Sequence, residues 1–224
     1  MFSGFNQKAL DFLRDIRENN SKPWFEEHKG VYQEHLLEPM RELVRYMTGD
    51  MLAIDPDFEI RPAVNRTISR IYRDTRFSKD KSLYKRSMWI VFKRPSKEWL
   101  DAPAYFFELF PDSYRYGMGM YSASRATMDS FREMIDAKPD DFRSAVAFYN
   151  NKQPFRLEGD TYKRILDKSK PDDIQNWYQR KSFYLVCDRD IDSRLFGRDI
   201  ADDLIYGFEL LAPLYKYIWK IKNS

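Results

Sequence analysis

The chain has 224 residues, of which 43% are hydrophobic, 33% charged and 17% aromatic, with a formal net charge of +3. It is too aromatic and too poor in glycine for a disordered, collagen-like or low-complexity protein, and no apolar run approaches the roughly 18 residues of a membrane-spanning helix. One cysteine, Cys187, excludes an internal disulfide framework, and two histidines leave too few ligands for a zinc site of nitrogen and sulfur. Because the N-terminal sequence also lacks the apolar segment of a signal peptide, we expect a cytoplasmic protein with no membrane partner and no metal.

The N-terminal part of the chain is predicted to be helical. Residues 5–16 carry apolar side chains at helical spacing, with Asn6 as the capping residue. A second helix is predicted from Pro23 to about Met51. Pro39 lies within its apolar stripe, so we expect a kink there rather than two unrelated helices.

From about Thr67 the pattern changes to short runs of β-branched and aromatic residues, which predict strands. The predicted strands are Ile68–Arg73, Ser87–Lys93, Ala104–Phe110, Tyr114–Tyr121, Phe155–Leu157 and Phe183–Cys187. Several of the connections are too short for a crossover helix, so the sheet is expected to be largely antiparallel. Gly117 and Gly119 share one face of the fourth run, where their small size predicts close packing of a helix.

Helical spacing returns in the C-terminal half of the chain. Helices are predicted after Ser124, after Pro139 and from Ser193 onwards, with Pro213 interrupting the last of them. No linker, repeat or low-complexity tract separates these elements. We therefore expect one α+β domain over residues 1–224, with a largely antiparallel central sheet of about five or six strands flanked by N- and C-terminal helices.

Positive charge is concentrated between Arg70 and Arg86, a stretch that we call the basic segment. It contains seven basic and two acidic residues, and the rest of the chain holds 31 basic and 33 acidic residues, a balance of −2. Arginine binds phosphate or carboxylate through a planar fork of donors, and lysine adds a point charge. We therefore predict a site for a compact anion that carries phosphate or carboxylate. The predicted ligand-binding residues are Arg70, Arg73, Asp74, Arg76, Ser78, Lys79, Lys81, Tyr84 and Lys85.

Each residue type in this set has an expected role. The arginines and lysines contact the anion, Ser78 and Tyr84 donate hydrogen bonds to it, and Asp74 orients the guanidinium groups. Replacing Arg73 or Arg76 by alanine should then remove anion affinity and leave the protein folded. Unfolding of such variants would instead identify the arginines as structural.

Two other interpretations of the basic segment remain open. In the first, Asp74 and Asp80 form ion pairs with neighbouring arginines and pin a long loop in a non-enzymatic interaction or scaffold module. In the second, aromatic side chains beside the segment stack on the bases of a nucleic acid. The second is less favoured, because the balance of −2 elsewhere offers no extended track for a phosphate backbone.

No recognisable catalytic constellation accompanies the basic segment. His28 and His35 lie seven residues apart on the second predicted helix, without the closer spacing of helical metal ligands, which favours packing or capping roles. His28 is the candidate for proton transfer if the basic segment folds against that helix. Cys187 follows an apolar run and is predicted to be a buried, inert thiol. The reaction, any cofactor and the oligomeric state are left open by the sequence.

Two blocks of residues carry a resemblance to a known family. The first contains Asn19-Asn20, Trp24-Phe25, His28-Lys29, Tyr32 and Pro39, and the second contains Arg70-Ile71, Arg73-Asp74, Arg76-Phe77-Ser78, Asp80-Lys81 and Tyr84-Lys85. In these blocks the chain resembles the DUF2461 family of conserved hypothetical proteins. The resemblance implies no established activity, cofactor or catalytic residue, so the function has to be inferred from the site.

Overall fold

The computed structural model describes residues 1–76, 79–95, 99–150 and 153–222, except for the side chains of residues 99 and 150. The helices are α1 Gln7–Glu18, α2 Lys22–Val31, α3 Glu38–Ile54, α4 Arg125–Ala137, α5 Pro139–Ala145, α6 Asp172–Tyr178 and α7 Asp199–Lys222. The strands are β1 Met88–Phe92, β2 Ala104–Leu109, β3 Ser113–Met120, β4 Arg156–Glu158 and β5 Phe183–Asp190. None of the described helices combines the length and the apolar character needed to cross a bilayer.

Five strands form an antiparallel sheet in the order β1-β2-β3-β5-β4. A tight turn joins β2 to β3, in which the Phe110 N–H donates to the Ser113 carbonyl over 2.9 Å. β4 and β5 pair with Leu157 opposite Leu185. Helices precede the strands in the chain and follow them, so the predicted α+β class and the antiparallel sheet are confirmed.

The run Ile68–Arg73, predicted as a strand, is not one of the strands of this sheet. Ile68 forms an isolated bridge with Ile90 of β1, and one further isolated bridge lies later in the run. Ile68 and Ile71 are both almost fully buried, although residues three apart point to opposite faces of a regular strand. The apolar pattern therefore indicated burial correctly, but the run pairs with its neighbours only through isolated bridges and does not form a continuous strand.

α2 and α3 belong to one interrupted helix. Residues Tyr32–Leu37 between them adopt a π-helical turn, and the N–H of Glu38 donates to the carbonyl of Gln33, five residues earlier. Pro39 follows directly and has no N–H to donate. The irregularity predicted at Pro39 therefore takes the form of a widened turn just before the proline.

α7 runs without a break through Pro213, where the sequence predicted an interruption. The hydrogen bond that this proline cannot make would end on the carbonyl of Glu209, and both residues lie on the exposed side of the helix. Water can satisfy a carbonyl there. Leu211 and Leu214 are fully buried, and their packing holds α7 together across the proline.

The chain divides into two compact units. One consists of Met1–Phe92, Phe106–Tyr116 and Asp188–Tyr206, and the other of Lys93–Tyr105, Gly117–Cys187 and Gly207–Ser224. We call them unit 1 and unit 2. A single domain over residues 1–224 stays a prediction.

Each unit has an aromatic core. In unit 1, the ring of Phe12 on α1 lies 5.7 to 6.4 Å from the rings of Trp24, Phe25 and Tyr32. These contacts fix α1 against α2 and thereby position the end of α1. The core of unit 2 contains Phe131, Phe142, Trp177 and Phe183, and Cys187 is buried as predicted.

Gly117 and Gly119, which have no side chains, leave room for a neighbouring strand and not for the predicted helix. A Cβ atom on Gly117 would overlap the carbonyl oxygen of Leu185, and one on Gly119 would overlap the backbone of Tyr184. Leu185 and Tyr184 both belong to β5. The two glycines therefore permit a close approach between neighbouring strands within unit 2.

Candidate functional site

Two backbone hydrogen bonds join the beginning and the end of the basic segment within unit 1. The Arg73 N–H donates to the Leu83 carbonyl over 2.9 Å, and the Lys85 N–H donates to the Ile71 carbonyl over 2.8 Å. These two bonds close the base of a loop. They bring Arg73 and Lys85, twelve positions apart in the sequence, to the same end of that loop.

Tyr84 anchors the loop base. Its side chain is 1% exposed, and its ring stacks on Phe25 of α2 with 4.5 Å between centroids. The Asn20 side chain holds the Tyr84 backbone at both its N–H (2.9 Å) and its carbonyl (3.0 Å), and also donates to the Ile16 carbonyl of α1 over 3.0 Å. The last turn of α1 is thereby tied to the loop base, which brings Arg17 beside it.

A cleft of about 520 Å³ opens beside this base. Four parts of unit 1 form its walls: the end of α1, the basic segment, the start of β1 and the turn between β2 and β3. The lining residues are Arg17, Arg73, Asp74, Lys85, Arg86, Ser87, Trp89, Phe110, Pro111 and Asp112. Four of them are cationic and two are carboxylates, so the lining carries a net charge of +2. The volume falls in the range of small-molecule sites, roughly 300 to 1,000 Å³.

Arg73, Asp74 and Lys85 are the predicted site residues that line this cleft. Asp74 is already engaged, because the Nε and Nη2 atoms of Arg76 donate to its two oxygens over 3.0 and 2.7 Å. Arg70 adds a cation 3.9 Å from the same carboxylate. The bonds from Arg76, and then its charge and that of Arg70, hold the pKa of Asp74 far below its usual range. Neither Arg70 nor Arg76 lines the cleft.

Further hydrogen bonds and an ion pair between residues of the loop stabilise its conformation. Arg73 Nη1 lies 2.9 Å from Asp80 Oδ2, and the other oxygen of Asp80 accepts bonds from the Ser82 N–H and hydroxyl over 2.9 and 2.7 Å. The bonds from Ser82, followed by the charges of Arg73 and Arg86, lower the pKa of Asp80. Lys81 Nζ donates to the Thr75 carbonyl over 2.9 Å. Part of the positive charge of the basic segment therefore holds the loop in shape.

Of the other predicted ligand contacts, those that the structure describes are not part of the cleft lining. Lys79 is exposed on the loop, and Tyr84 is buried in the base, where burial raises the pKa of its phenol to about 12. Ser78 lies outside the described residues. The structure thus brings three of the nine predicted residues together in the cleft wall.

His28, the predicted candidate for proton transfer, packs within α2. Its ring stacks on Trp24 with 4.1 Å between centroids, and its Nδ1 lies 2.9 Å from the Trp24 carbonyl oxygen. A carbonyl oxygen only accepts, so Nδ1 carries the proton in this contact. His28 does not line the cleft, and no group of three or more histidine, cysteine, aspartate or glutamate side chains within the described ranges is placed to hold a metal ion.

Lys85 has the most unusual environment of the cationic groups in the cleft. Its Nζ donates to the Arg70 carbonyl over 2.8 Å and lies 3.9 Å from the centre of the Trp89 ring. Burial, with the charges of Arg70 and Arg73, lowers the pKa of Lys85 to about 8 against the opposing effect of Glu108. The cleft therefore contains an amine that titrates close to physiological pH.

The wall behind Lys85 contributes little negative charge. Glu108 on β2 is 12% exposed and pairs with Arg115 through two bonds of 2.9 and 2.7 Å. It also accepts a bond from the Ser87 hydroxyl over 2.6 Å. With its charge balanced by Arg115, Glu108 opposes a bound anion only weakly.

Sequence reasoning missed Arg17 and Trp89, and it counted Arg86 in the charge without naming it as a contact. Arg17 has no local signal, because a long-range side-chain contact brings α1 to the site. A signal for Trp89 does exist: Lys85, Ser87 and Trp89 follow each other at a spacing of two, the period of extended chain, and all three line the cleft. Neither Arg17 nor Arg86 forms an ion pair with a residue that the structure describes.

One family model matches the chain. It is described as "Conserved hypothetical protein (DUF2461)" and covers residues 8–217, a range that includes every residue of the cleft lining. No curated protein matches the sequence. The family description assigns no activity, so the chemistry of the cleft is the basis for a functional inference.

Proposed function

The chain belongs to the DUF2461 family, and we propose that its cleft binds a compact anionic ligand bearing a phosphate or carboxylate group. One observation carries the proposal: four cationic side chains, one from the end of α1 and three from the basic segment, line a concave surface with two carboxylates. One of those carboxylates, Asp74, is already bound by Arg76. A concentration of like charge destabilises the free protein, and a bound anion offsets that cost.

The other lining groups favour an organic anion over a bare inorganic ion. Trp89 and Phe110 place aromatic surface, and Pro111 further apolar surface, in a cleft whose remaining groups are charged or polar. Arg17 and Arg86 form no ion pair with a described residue, and Arg86 interacts with Asp80 only through its charge, so both guanidinium forks are available to a phosphate or carboxylate. An anionic group would bind near the arginines while an apolar portion covers the aromatic surface.

Binding of pyrophosphate tests the proposal, measured by titration calorimetry at fixed ionic strength. One charge-assisted hydrogen bond contributes about 1.5 to 3 kcal/mol, so Arg73→Gln is expected to weaken binding roughly 10- to 100-fold. Lys79→Gln is the control. It removes the same charge from the same loop, but Lys79 is exposed, does not line the cleft and leaves the Arg76–Asp74 pair intact. We expect it to weaken binding less than about threefold.

Two results would contradict the proposal. The first is no binding of pyrophosphate or of a carboxylate probe such as citrate by the unaltered protein. The second is an equal loss of affinity in the two variants, because a response to net charge alone does not need a cleft. A short single-stranded RNA belongs in the same titration. Affinity for RNA alone, with a steep dependence on salt, would point to the nucleic-acid interpretation.

A second candidate function is a non-enzymatic interaction or scaffold module with a structural ion-pair network. It is supported by the pairs Arg76–Asp74 and Arg73–Asp80 and by the bond from Lys81 to the Thr75 carbonyl, all within the loop. In this case Arg73→Gln lowers the melting temperature and does not alter the affinity for any compact anion. Thermal unfolding of the same two variants therefore separates the two functions.

The affinity for anions is expected to depend on pH through Lys85. Below its pKa of about 8 the amine is charged in both the free and the bound protein, so the affinity for the anion does not change with pH. Above that value the amine must take up a proton when the anion binds, and the affinity falls by up to about tenfold per pH unit. Sulfate is a suitable probe, because its own charge is constant from pH 6.5 to 10, a window of about 3.5 units chosen to span the lysine titration.

Lys85→Met supplies the control for this pH profile. The variant lacks the titrating amine, so its weaker affinity for sulfate should stay level over the same range. A profile that falls equally in both proteins would assign the pH dependence to other groups and contradict the role of Lys85. The arginines remain charged throughout and do not contribute to the slope.

A further inference from the structure

The backbone and the side chain of Lys85 are both held in fixed positions, as attack by its amine on a bound ligand requires. It lies at the junction between the loop base and β1, where the backbone bond to Ile71 fixes its Cα position. The contacts of Nζ with the Arg70 carbonyl and the Trp89 ring fix the end of the side chain. Neither contact is an ion pair, and Lys85 forms none with the described residues. Glu108 favours the protonated amine from a distance, but it is paired with Arg115 and forms no ion pair with Lys85.

The surroundings of Lys85 also favour its neutral form. Partial burial and the cationic neighbours Arg70 and Arg73 both disfavour the ammonium ion. With a pKa of about 8, roughly one tenth of the amine is unprotonated at neutral pH, against less than roughly one thousandth for an ordinary lysine. Desolvation and adjacent cations are the usual means by which proteins activate a lysine for attack on a carbonyl group.

We propose that Lys85 forms a Schiff base with a small aldehyde or ketone that also carries a carboxylate or phosphate group. This inference rests on the proposed anion site, because Arg17, Arg73 and Arg86 would hold the anionic end of the ligand. In this proposal the carbonyl carbon is bound beside Nζ of Lys85, which lines the same cleft. The ligand class follows from this combination of an amine and guanidinium groups in one cleft of about 520 Å³.

The step balances without an oxidant, a reductant or a second substrate. The Nζ lone pair attacks the carbonyl carbon, a C–N bond forms, the C=O π bond breaks, and one of the two amine protons moves to the carbonyl oxygen to give a carbinolamine. The hydroxyl group and the remaining amine proton then leave as water, and the carbon–nitrogen double bond forms. Protonation of the nitrogen gives an iminium cation, which withdraws electrons from the neighbouring carbon. Hydrolysis reverses the sequence.

Reductive trapping tests the inference. The full-length protein is incubated with glyoxylate, an aldehyde with a carboxylate, and with sodium cyanoborohydride, which reduces an iminium to a stable secondary amine. Peptide mapping by mass spectrometry then locates the carboxymethyl groups. We expect Lys85 to be modified at least about tenfold faster than Lys79 or Lys81, and excess pyrophosphate to suppress the reaction at Lys85.

Lys81 provides a matched control within the same loop. Its Nζ also donates to a backbone carbonyl, that of Thr75, over 2.9 Å, but it is exposed and does not line the cleft. Lys85→Arg, which keeps the charge and removes the nucleophile, should lose the fast modification. Lys81→Arg should keep it. Propanal, an aldehyde without an anionic group, should react at Lys85 at least about fivefold more slowly than glyoxylate.

Each other outcome overturns the inference in a distinguishable way. Equal modification of all lysines means that Lys85 is not activated. Fast modification by both aldehydes at the same rate means that the anionic group is not recognised. If Lys85 is not modified but the protein still binds pyrophosphate through Arg73, the Schiff base is excluded and the anion site is retained. Absence of both removes the anion site as well.

Discussion

Replacing Gly117 by alanine is expected to lower the free energy of unfolding by about 3 kcal/mol, because the added Cβ overlaps the neighbouring strand. The methyl group would meet the carbonyl oxygen of Leu185 and the backbone of Val186, which cannot move aside as a flexible side chain could. Strands β3 and β5 would have to separate locally and lose hydrogen bonds. For a chain of this length the melting temperature should fall by roughly 10 °C.

Gly30→Ala is the matched control. Gly30 lies in α2, where a Cβ atom meets nothing within 4 Å. Alanine has the higher helix propensity, so this variant should gain up to about 1 kcal/mol. Urea unfolding of both variants against the parent protein gives the comparison. If Gly117→Ala costs less than about 1 kcal/mol, the close approach of β5 to Gly117 is not a tight constraint.

Local sequence patterns correctly predicted those helices and strands whose apolar residues recur at regular spacing and are buried along one face. α1 is an example, since its predicted cap Asn6 accepts a bond from the Ala9 N–H over 3.2 Å and its apolar residues are buried. The two prolines behaved differently. Pro39 follows a π-helical turn, whereas Pro213 leaves α7 continuous. The sequence alone does not separate these cases, because the outcome depends on which face of the helix is packed.

The candidate site was predicted only in part for a similar reason. The charge density of the basic segment pointed to Arg73, Asp74 and Lys85, which do line the cleft. It could not separate them from Arg76, which has the same chemistry but pairs with its neighbour Asp74. Arg17 lies far away in the sequence, and its place in the cleft depends on tertiary contacts that no local pattern encodes.

The cations of the site differ in what they contact. Arg76 and Lys81 bind groups of the loop itself, and Arg73 is shared between Asp80 and the cleft. Arg17 and Arg86 have no such partner within the described part of the chain. We infer that, apart from Arg73, which does both, different residues maintain the loop shape and bind the ligand. The proposed function and the structural alternative can therefore be tested by separate substitutions.

The double variant Arg17→Gln/Arg86→Gln is expected to bind pyrophosphate roughly 100- to 10,000-fold more weakly than the parent protein. Each substitution removes a charge-assisted bond of about 1.5 to 3 kcal/mol, and the two guanidinium groups contact the same small anion. Stability should change by less than about 0.5 kcal/mol, because both side chains are exposed and lack ion pairs with described residues.

Arg14→Gln/Arg45→Gln is the charge-matched control for this experiment. Both side chains are exposed, and they pair with Asp11 and Glu38 rather than lining the cleft. The control removes the same two charges, so any loss that it shows measures the long-range field alone, expected to be less than about threefold near 0.15 M salt. Similar losses of affinity in the two double variants would show that the anion responds to the overall charge of the protein and not to a specific site in the cleft. A large loss confined to Arg17→Gln/Arg86→Gln, in a protein that melts normally, would locate the anion between α1 and the start of β1 and exclude a purely structural role for these arginines.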